Sequence, residues 1–420
     1  MPTGIGVDAL RQPPSTATRV TPRVRVLIRD RYMHYPQSPT PADATDRPIR
    51  IAIDARPLSG PPCGYTIYLC SVIECLERGN FDITLFSNAE LMPYYDEAAG
   101  LKAEIFGSAG NLIWENSNVP ARLAKDSFDI YFSGANRGMP LKKEPGTRYV
   151  LGLLDIIPYI FFGNYFLKNW KAWVRTPALH RETVSQLVSL ARADAVVTIS
   201  GQSARDIGRI FRRRDAKSFL IKLRDVRDYS VEQAKPQFVY LGGIDYRKKV
   251  TVLLEAFAIF IRGNPLYKLV LVGSNYTSLL PLIERLGLRD HVVLTGYVDH
   301  DTKFRILAES QAMVYPSLYE GYGLAIGEGF QAGIPVIAGR GGSQAEVGGI
   351  GVRPIDPSSP EDIAAAMAEM LDPAVRQNWI EKGRKQLAIL TDPAIESDML
   401  DYFTEQGRLA RAGRARARIV

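Results

Sequence analysis

From Ile49 onward the chain alternates short apolar segments with longer stretches of helical periodicity, and this alternation restricts the fold more than any other feature. Ile49–Asp54 (IRIAID), Phe81–Phe86, Ile130–Phe132, Arg148–Leu154 and Ala195–Ile199 read as strands. Tyr65–Arg78 and Thr176–Ala191 read as helices. The pattern restarts after Pro236. Strands are expected at Phe238–Gly242, Leu269–Gly273, Val292–Thr295, Ala312–Tyr315 and Val336–Ala338. Helices are expected at Val250–Arg262, Ser278–Leu286, Thr302–Glu309, Leu324–Ala332 and Pro360–Leu371. Strands alternating with helices imply a parallel sheet covered on both faces. The predicted class is α/β, with two Rossmann-like doubly wound domains facing across a cleft.

A chain of 420 residues suits two such domains better than one core. Residues 1–48, rich in Pro, Thr, Ala and Arg, read as a flexible extension with room for a short strand at Val24–Ile28. The N-terminal Rossmann-like domain is expected over 49–223, a polar linker over 224–236 and the C-terminal domain over 237–385. Residues 386–420 read as helix, broken near Asp392-Pro393, with packing back on the N-terminal domain as one arrangement and a basic tail at the end.

With 46% hydrophobic and 23% charged residues, no bilayer-length apolar run and no stretch of signal-peptide type, the expectation is a cytoplasmic protein. Cys63, Cys70 and Cys75 fit neither a disulfide scaffold nor a zinc site and read as reduced thiols. His34, His180, His291 and His300 match no catalytic motif, and no metal site is expected. The net charge of +7 is concentrated at Arg212–Arg214 and at Arg408, Arg411, Arg414, Arg416 and Arg418. Such clusters favour phosphate-rich partners. The C-terminal one reads as a solvated tail, and nucleic acid is not expected as a partner.

In open α/β sheets, ligands bind beyond the carboxyl ends of the strands, so chemistry belongs in the loops that follow them. Gly242-Gly243-Ile244-Asp245-Tyr246-Arg247-Lys248-Lys249 links a strand to a helix, and Arg beside Lys suits a diphosphate. Read alone, it is more readily a solvated basic turn. In Ser317–Glu328, Gly321 and Gly323 allow close backbone approach to a ligand. The N–H groups of Tyr322 to Ala325 face an anion at the helix start, and Glu320 and Glu328 supply acceptors for vicinal hydroxyls. Gly60-Pro61-Pro62-Cys63-Gly64-Tyr65 is a weaker signal, since it lacks the dinucleotide spacing.

The segments YLGGIDYRKKVTVLLEAF, LVLVGSN, VVLTGYV and VYPSLYEGYGLAIGEGFQAGIPVIA resemble successive blocks of the retaining glycosyltransferases of family four, which have the two-Rossmann GT-B fold. IAIDARPLSGPPCGYTIYL and LLDIIPYIF followed by ADAVVTISGQSARD are similar to that family more loosely; the resemblance covers about Ile49 to Phe403. It implies transfer of a hexose from a nucleotide diphosphate sugar with retention of configuration, without cofactor or metal, in cell-surface polysaccharide synthesis. The N-terminal domain then takes a saccharide or lipid-linked saccharide acceptor. Arg247 and Lys248 neutralise the donor diphosphate, Glu320 contacts the transferred sugar and Glu328 holds the ribose. Asp155 remains where relatives carry His-Asp, with Leu154 in the histidine's place. Gly64, Tyr65, Gly243, Ser274, Val298, Gly321, Tyr322, Gly323 and Leu324 complete the donor-binding set. Many relatives carry Arg at the position of Gly243, a contact that Arg247 can take over.

Other classes on this fold remain open: a sugar-nucleotide epimerase, a glycoside phosphorylase, or a weakly active scaffold subunit. Tyr159–Arg175 interleaves seven aromatic residues with Lys168, Lys171 and Arg175. It reads equally as an aromatic packing segment and as a peripheral contact with an anionic inner membrane surface.

Overall fold

The computed structural model describes residues 47–60, 63–92, 101–107, 110–162, 177–223 and 234–417, with the backbone alone at 177–182 and 416–417. The possible strand at Val24–Ile28, most of the linker and the segment 163–176 lie outside these residues.

Two all-parallel sheets form. The first holds β1 (Ile49–Asp54), β2 (Phe81–Ser87), β3 (Lys102–Ile105), β4 (Ile130–Ser133), β5 (Arg148–Gly152), β6 (Ala195–Thr198) and β7 (Lys217–Ser218). Its spatial order is β3-β2-β1-β4-β5-β6-β7. The second holds β8 (Gln237–Leu241), β9 (Lys268–Val272), β10 (Val292–Gly296), β11 (Ala312–Tyr315), β12 (Val336–Ala338) and β13 (Val352–Pro354), in the order β10-β9-β8-β11-β12-β13. This order is doubly wound in each sheet, so the strand direction of travel reverses between β1 and β4 and between β8 and β11. The crevices that hold ligands open at those two points.

The helices of eight or more residues are α1 (Gly64–Glu77), α2 (Pro177–Arg192), α3 (Gly201–Phe211), α4 (Val250–Phe260), α5 (His300–Ala308), α6 (Leu324–Gln331), α7 (Pro360–Glu369), α8 (Pro373–Leu390) and α9 (Ala394–Ala417). The central strands are apolar on both faces because helices cover both; Ile51, Ile53, Val150, Val239, Leu271 and Val314 are almost wholly buried. Between β3 and β4 a helical segment runs through Asn111–Ile113, Trp114–Asn118 and Val119–Leu123, a region without a clear helical pattern in the sequence.

The chain leaves the second domain through α8 and turns at Thr391–Pro393. The expected boundary at residue 385 therefore falls inside α8. From there α9 lies against the first domain. Its Phe403 meets Phe132 edge-on at 5.3 Å, and its Gln406 accepts a hydrogen bond of 2.9 Å from Arg148. Its Glu396 pairs with Arg78 and with Lys222, the latter at 3.2 Å.

The basic C-terminal cluster is not a solvated tail at Arg411 and Arg414. Both pair with Asp129, which is fully buried, Arg411 at 3.1 Å. A buried carboxylate without a partner is costly, so these arginines tie α9 to the start of β4. Arg213, in the other basic cluster, is also structural: it bonds Asp215 and the carbonyls of Leu190 and Ala193.

Candidate active site

The loops after β8 and β11 flank the reversal point of the second sheet, and each is fixed by its own sequence. In the first, Tyr246–Lys248 makes a single 3-10 turn. The Asp245 carboxylate caps it by accepting the Arg247 N–H at 3.0 Å. Lys249 closes it in the left-handed conformation (φ 49°) before α4 begins. In the second loop, Gly323 (φ 93°) turns the chain into α6, a backbone that a side chain would strain.

Across a cavity of about 580 Å³ these loops face the start of α1 and the loop after β5. The cavity brings together Arg247, Lys248, Glu320, Glu328, Asp155, Gly64, Tyr65, Val298 and the run from Gly321 to Leu324. Gly243 and Ser274 are not among its lining residues. Space around the Gly243 Cα is open, and Ser274 is exposed beyond the end of β9.

The two glutamates are each held through one oxygen. Glu320, buried at 7% exposure, receives the Tyr315 hydroxyl at 2.7 Å and the Arg247 guanidinium at 2.5 Å, both on Oε1. Glu328 receives Lys303 Nζ at 2.5 Å, also on Oε1. Tyr315 and Lys303 line the cavity and were not singled out by sequence reasoning. Their signal is a pairing between elements, and no local motif carries it. The loop after β12 backs Glu320: Ser343 donates its N–H and its hydroxyl to the Glu320 carbonyl at 3.0 and 2.9 Å.

Arg247 and Lys248 differ in state. Arg247 also bonds the Tyr319 carbonyl at 3.0 Å, so its guanidinium is committed to the second loop. Burial works against its charge, but Glu320, Tyr315 and Asp245 outweigh this and hold its pKa above the ordinary arginine value. Lys248 has no ion pair among the described residues, and its ammonium lies 5.8 Å from the Tyr315 ring centre. Burial pushes its pKa below the ordinary lysine value, with Glu320 offsetting part of the effect. A half-buried cation without a counter-ion is a place prepared for an anion. The N–H groups at the start of α6 border the same cavity.

The first domain supplies a second cavity of about 440 Å³ that shares Cys63, Tyr65 and Asp155 with the first. Its walls include the polar side chains of Arg56, Asn136, Arg137 and Gln186. Arg56 is held by Asp54 at 2.6 Å and Glu115 at 2.9 Å, and lies 4.3 Å over the Trp114 ring. Asn136 bridges the two cavities' walls, donating to the Tyr65 hydroxyl at 2.9 Å and accepting the Leu154 N–H at 2.6 Å. Asp155 sits where the cavities meet. Burial raises its pKa, against the Ile157 N–H and Arg247, which pull it down.

The two domains touch at that point. A Cβ on Gly321 would lie 2.8 Å from the Asp155 Cβ and 3.2 Å from the Leu154 carbonyl. Tyr319 donates to Asp206 on α3 at 2.7 Å, and the Gly201 N–H at the start of α3 donates to Glu346 at 2.8 Å.

Of the aromatic segment, the described residues Tyr159 and Phe161 pack within the protein. Tyr159 meets Phe211 at 4.9 Å, and Phe161 meets Tyr246 and Tyr319 at 6.2 and 6.1 Å. Phe162 is half exposed, and the remainder lies outside the described residues. Among the described residues no helix is long and apolar enough to cross a membrane, and no group of three or more His, Cys, Asp or Glu side chains could hold a metal ion.

Residues 223–386 match the family model for glycosyl transferases group 1. The chain is 28% identical over 211 residues to O-antigen chain mannosyltransferase B of Escherichia coli, covering 46% of this chain and 55% of that protein. It is 32% identical over 146 residues to an uncharacterized glycosyltransferase of Methanocaldococcus jannaschii, covering 33% of this chain and 37% of that one. The chain thus spans about half the length of the first relative and little more than a third of the second. In fold it is similar to Anabaena HepE in complex with UDP-glucose, with a TM-score of 0.63 and 15% identity, over 85% of this chain and 99% of that one. Residues 223–386 are thus similar to the group 1 glycosyl transferases, and the chain has the two facing Rossmann-like domains of the GT-B fold.

Proposed function

We propose that the protein transfers a hexose from a nucleoside diphosphate sugar to a saccharide or lipid-linked saccharide acceptor, with retention of anomeric configuration, in the synthesis of a cell-surface polysaccharide. The observation that carries this reading is Lys248, without an ion pair among the described residues and set in one cavity with two pre-held glutamates and the opening turn of α6.

In this reading the diphosphate lies against Lys248 and the first N–H groups of α6. Glu328 holds the ribose and Glu320 the sugar. The bond from the anomeric carbon to the phosphate oxygen breaks as negative charge builds on the leaving diphosphate. Lys248 and the α6 N–H groups, held in place before the reaction, stabilise that charge as it develops. The acceptor hydroxyl enters from the second cavity, attacks the anomeric carbon on the face the diphosphate leaves, and gives its proton to the departing phosphate oxygen. The Asp155 carboxyl, placed between the cavities, is within reach of hydroxyls on either side. In this reading the transfer proceeds without metal or organic cofactor. The protein works in the cytoplasm, with the half-exposed Phe162 and the basic aromatic run beyond it as the contact with an anionic inner membrane surface.

The test is a panel of uridine and guanosine diphosphate sugars, followed by thermal shift and by release of nucleoside diphosphate with acceptor present. A transferase answers to one base and releases its diphosphate only when an acceptor is supplied. A requirement for free phosphate would instead indicate a phosphorylase, and no response to any donor would reject the reading.

A further inference from the structure

The mechanism above leaves a buried tyrosine unused. Tyr315 is the last residue of β11 and lies at 4% exposure at the floor of the donor cavity. Its ring stacks on Tyr240 of β8, centroids 6.0 Å apart and planes 21° apart. That stack fixes the ring, and the ring fixes the direction of the hydroxyl. The hydroxyl reaches Glu320 Oε1 at 2.7 Å.

Packing alone does not account for this arrangement. A phenylalanine would fill the same volume, and a buried hydroxyl is costly unless it has a partner. Its partner here is the carboxylate assigned to the sugar. Arg247 binds the same oxygen from the opposite loop. Two donors on Oε1 leave Oε2 with no hydrogen bond from any described residue, while Glu320 itself lines the cavity.

We infer that Tyr315 is a positioning residue: together with Arg247 it locks the Glu320 carboxylate in one rotamer with Oε2 turned to the hexose hydroxyls of the donor. This rests on the reading of the cavity as a nucleotide-sugar site. Burial, and next to it the Glu320 charge, hold the Tyr315 pKa well above that of an ordinary tyrosine, so the hydroxyl stays a donor throughout the working range of pH. Arg247 supplies charge from the loop after β8, which the donor diphosphate also approaches. Tyr315 supplies a neutral hydrogen bond from the sheet itself.

The experiment is a double-mutant cycle in the full-length protein. Tyr315→Phe, Glu320→Gln and the double variant are compared with wild type. UDP-glucose and GDP-mannose serve as donors, and bare UDP and GDP as probes of the phosphate and base contacts. Tyr315→Phe is expected to lower turnover ten- to a hundredfold, the scale of one hydrogen bond to a charged group. Affinity for the bare nucleoside diphosphate is expected to stay within about twofold, which also shows that the variant folds. In the Glu320→Gln background the same change is expected to cost no more than about twofold, since its target is already altered. An equal loss in both backgrounds overturns the inference, as does a parallel loss of bare nucleoside diphosphate affinity. An active wild type matched by Tyr315→Phe overturns the role of Tyr315 alone. A wild type that neither binds nor turns over any donor overturns the reading of the site with it.

Discussion

Arg247 reaches from the loop after β8 to the loop after β11 and ends 2.5 Å from Glu320 Oε1. Its neighbour Lys248 makes no such contact. The pair that reads as one diphosphate clamp in the sequence therefore divides into two jobs, one holding a carboxylate and one awaiting an anion. Arg247→Met removes the ion-pair partner of the buried Glu320 and leaves, among the described residues, the Tyr315 hydroxyl as its side-chain hydrogen bond. Losing one partner of a buried pair costs about 3–5 kcal/mol, so the midpoint of urea unfolding is expected to fall markedly. Lys248→Met removes a buried cation without a counter-ion and is expected to leave that midpoint unchanged or raise it.

The lowered pKa of Lys248 gives a pH dependence with a definite sign. Between its folded value and the ordinary lysine value the unfolded chain binds more protons than the folded one. Stability contributed by this group therefore rises with pH across that window. Diphosphate binding favours the charged form and draws a proton in. Calorimetry of UDP or GDP binding at alkaline pH, in buffers of different ionisation heat, is expected to show net proton uptake. Uptake is expected to vanish in Lys248→Arg, whose charge does not titrate. Equal uptake in both proteins contradicts the assignment.

Gly321 allows the two domains to approach at Asp155. Gly321→Ala is expected to hold them apart and weaken donor binding at least tenfold, because a Cβ contact at 2.8 Å must be relieved by separation. X-ray scattering is expected to show a larger radius. Asp155→Ala keeps the clashing Cβ, so it is expected to give no relief of the scattering change, whereas Asp155→Gly in the same background is expected to relieve part of it, the contact with the Leu154 carbonyl remaining.

Asp129 is fully buried and held by Arg411 and Arg414 from α9. Arg414→Met is expected to destabilise the protein by about 2–4 kcal/mol, the scale of a buried carboxylate that loses a charged partner. Asp129→Asn combined with Arg414→Met is expected to recover part of that loss, because the unpaired charge is gone. Urea unfolding measures both.

The sequence showed the fold where elements are apolar and long. Ile49–Asp54, Ala312–Tyr315 and Val336–Ala338 are strands with those same ends, since buried parallel strands leave an unbroken apolar run. It did not show β3, β7 or β13, which lie at or next to sheet edges, are short and carry Lys, Arg or Glu. Ser278–Leu286, expected as one helix, is a 3-10 turn at Tyr276–Leu279 followed by helix at Leu280–Arg285, with Pro281 opening the latter. The loops bearing Arg247, Lys248, Glu320 and Glu328 were legible because strand, glycine and helix start follow one another along the chain. Lys303 and Tyr315 were not, because each is defined by the carboxylate it meets. Arg411 and Arg414 read as a tail because Asp129 lies 282 and 285 residues away.

The most direct measurement is release of nucleoside diphosphate from UDP-glucose and GDP-mannose in the presence of a saccharide acceptor, by wild type and by Lys248→Ala. Wild type is expected to release the diphosphate of one donor, with the hexose recovered on the acceptor. Lys248→Ala is expected to do so about 10²–10³-fold more slowly at unchanged thermal stability, the scale of losing one charge stabiliser at the leaving group. Equal rates in the two proteins, or no acceptor-dependent release by wild type from either donor, would contradict the account.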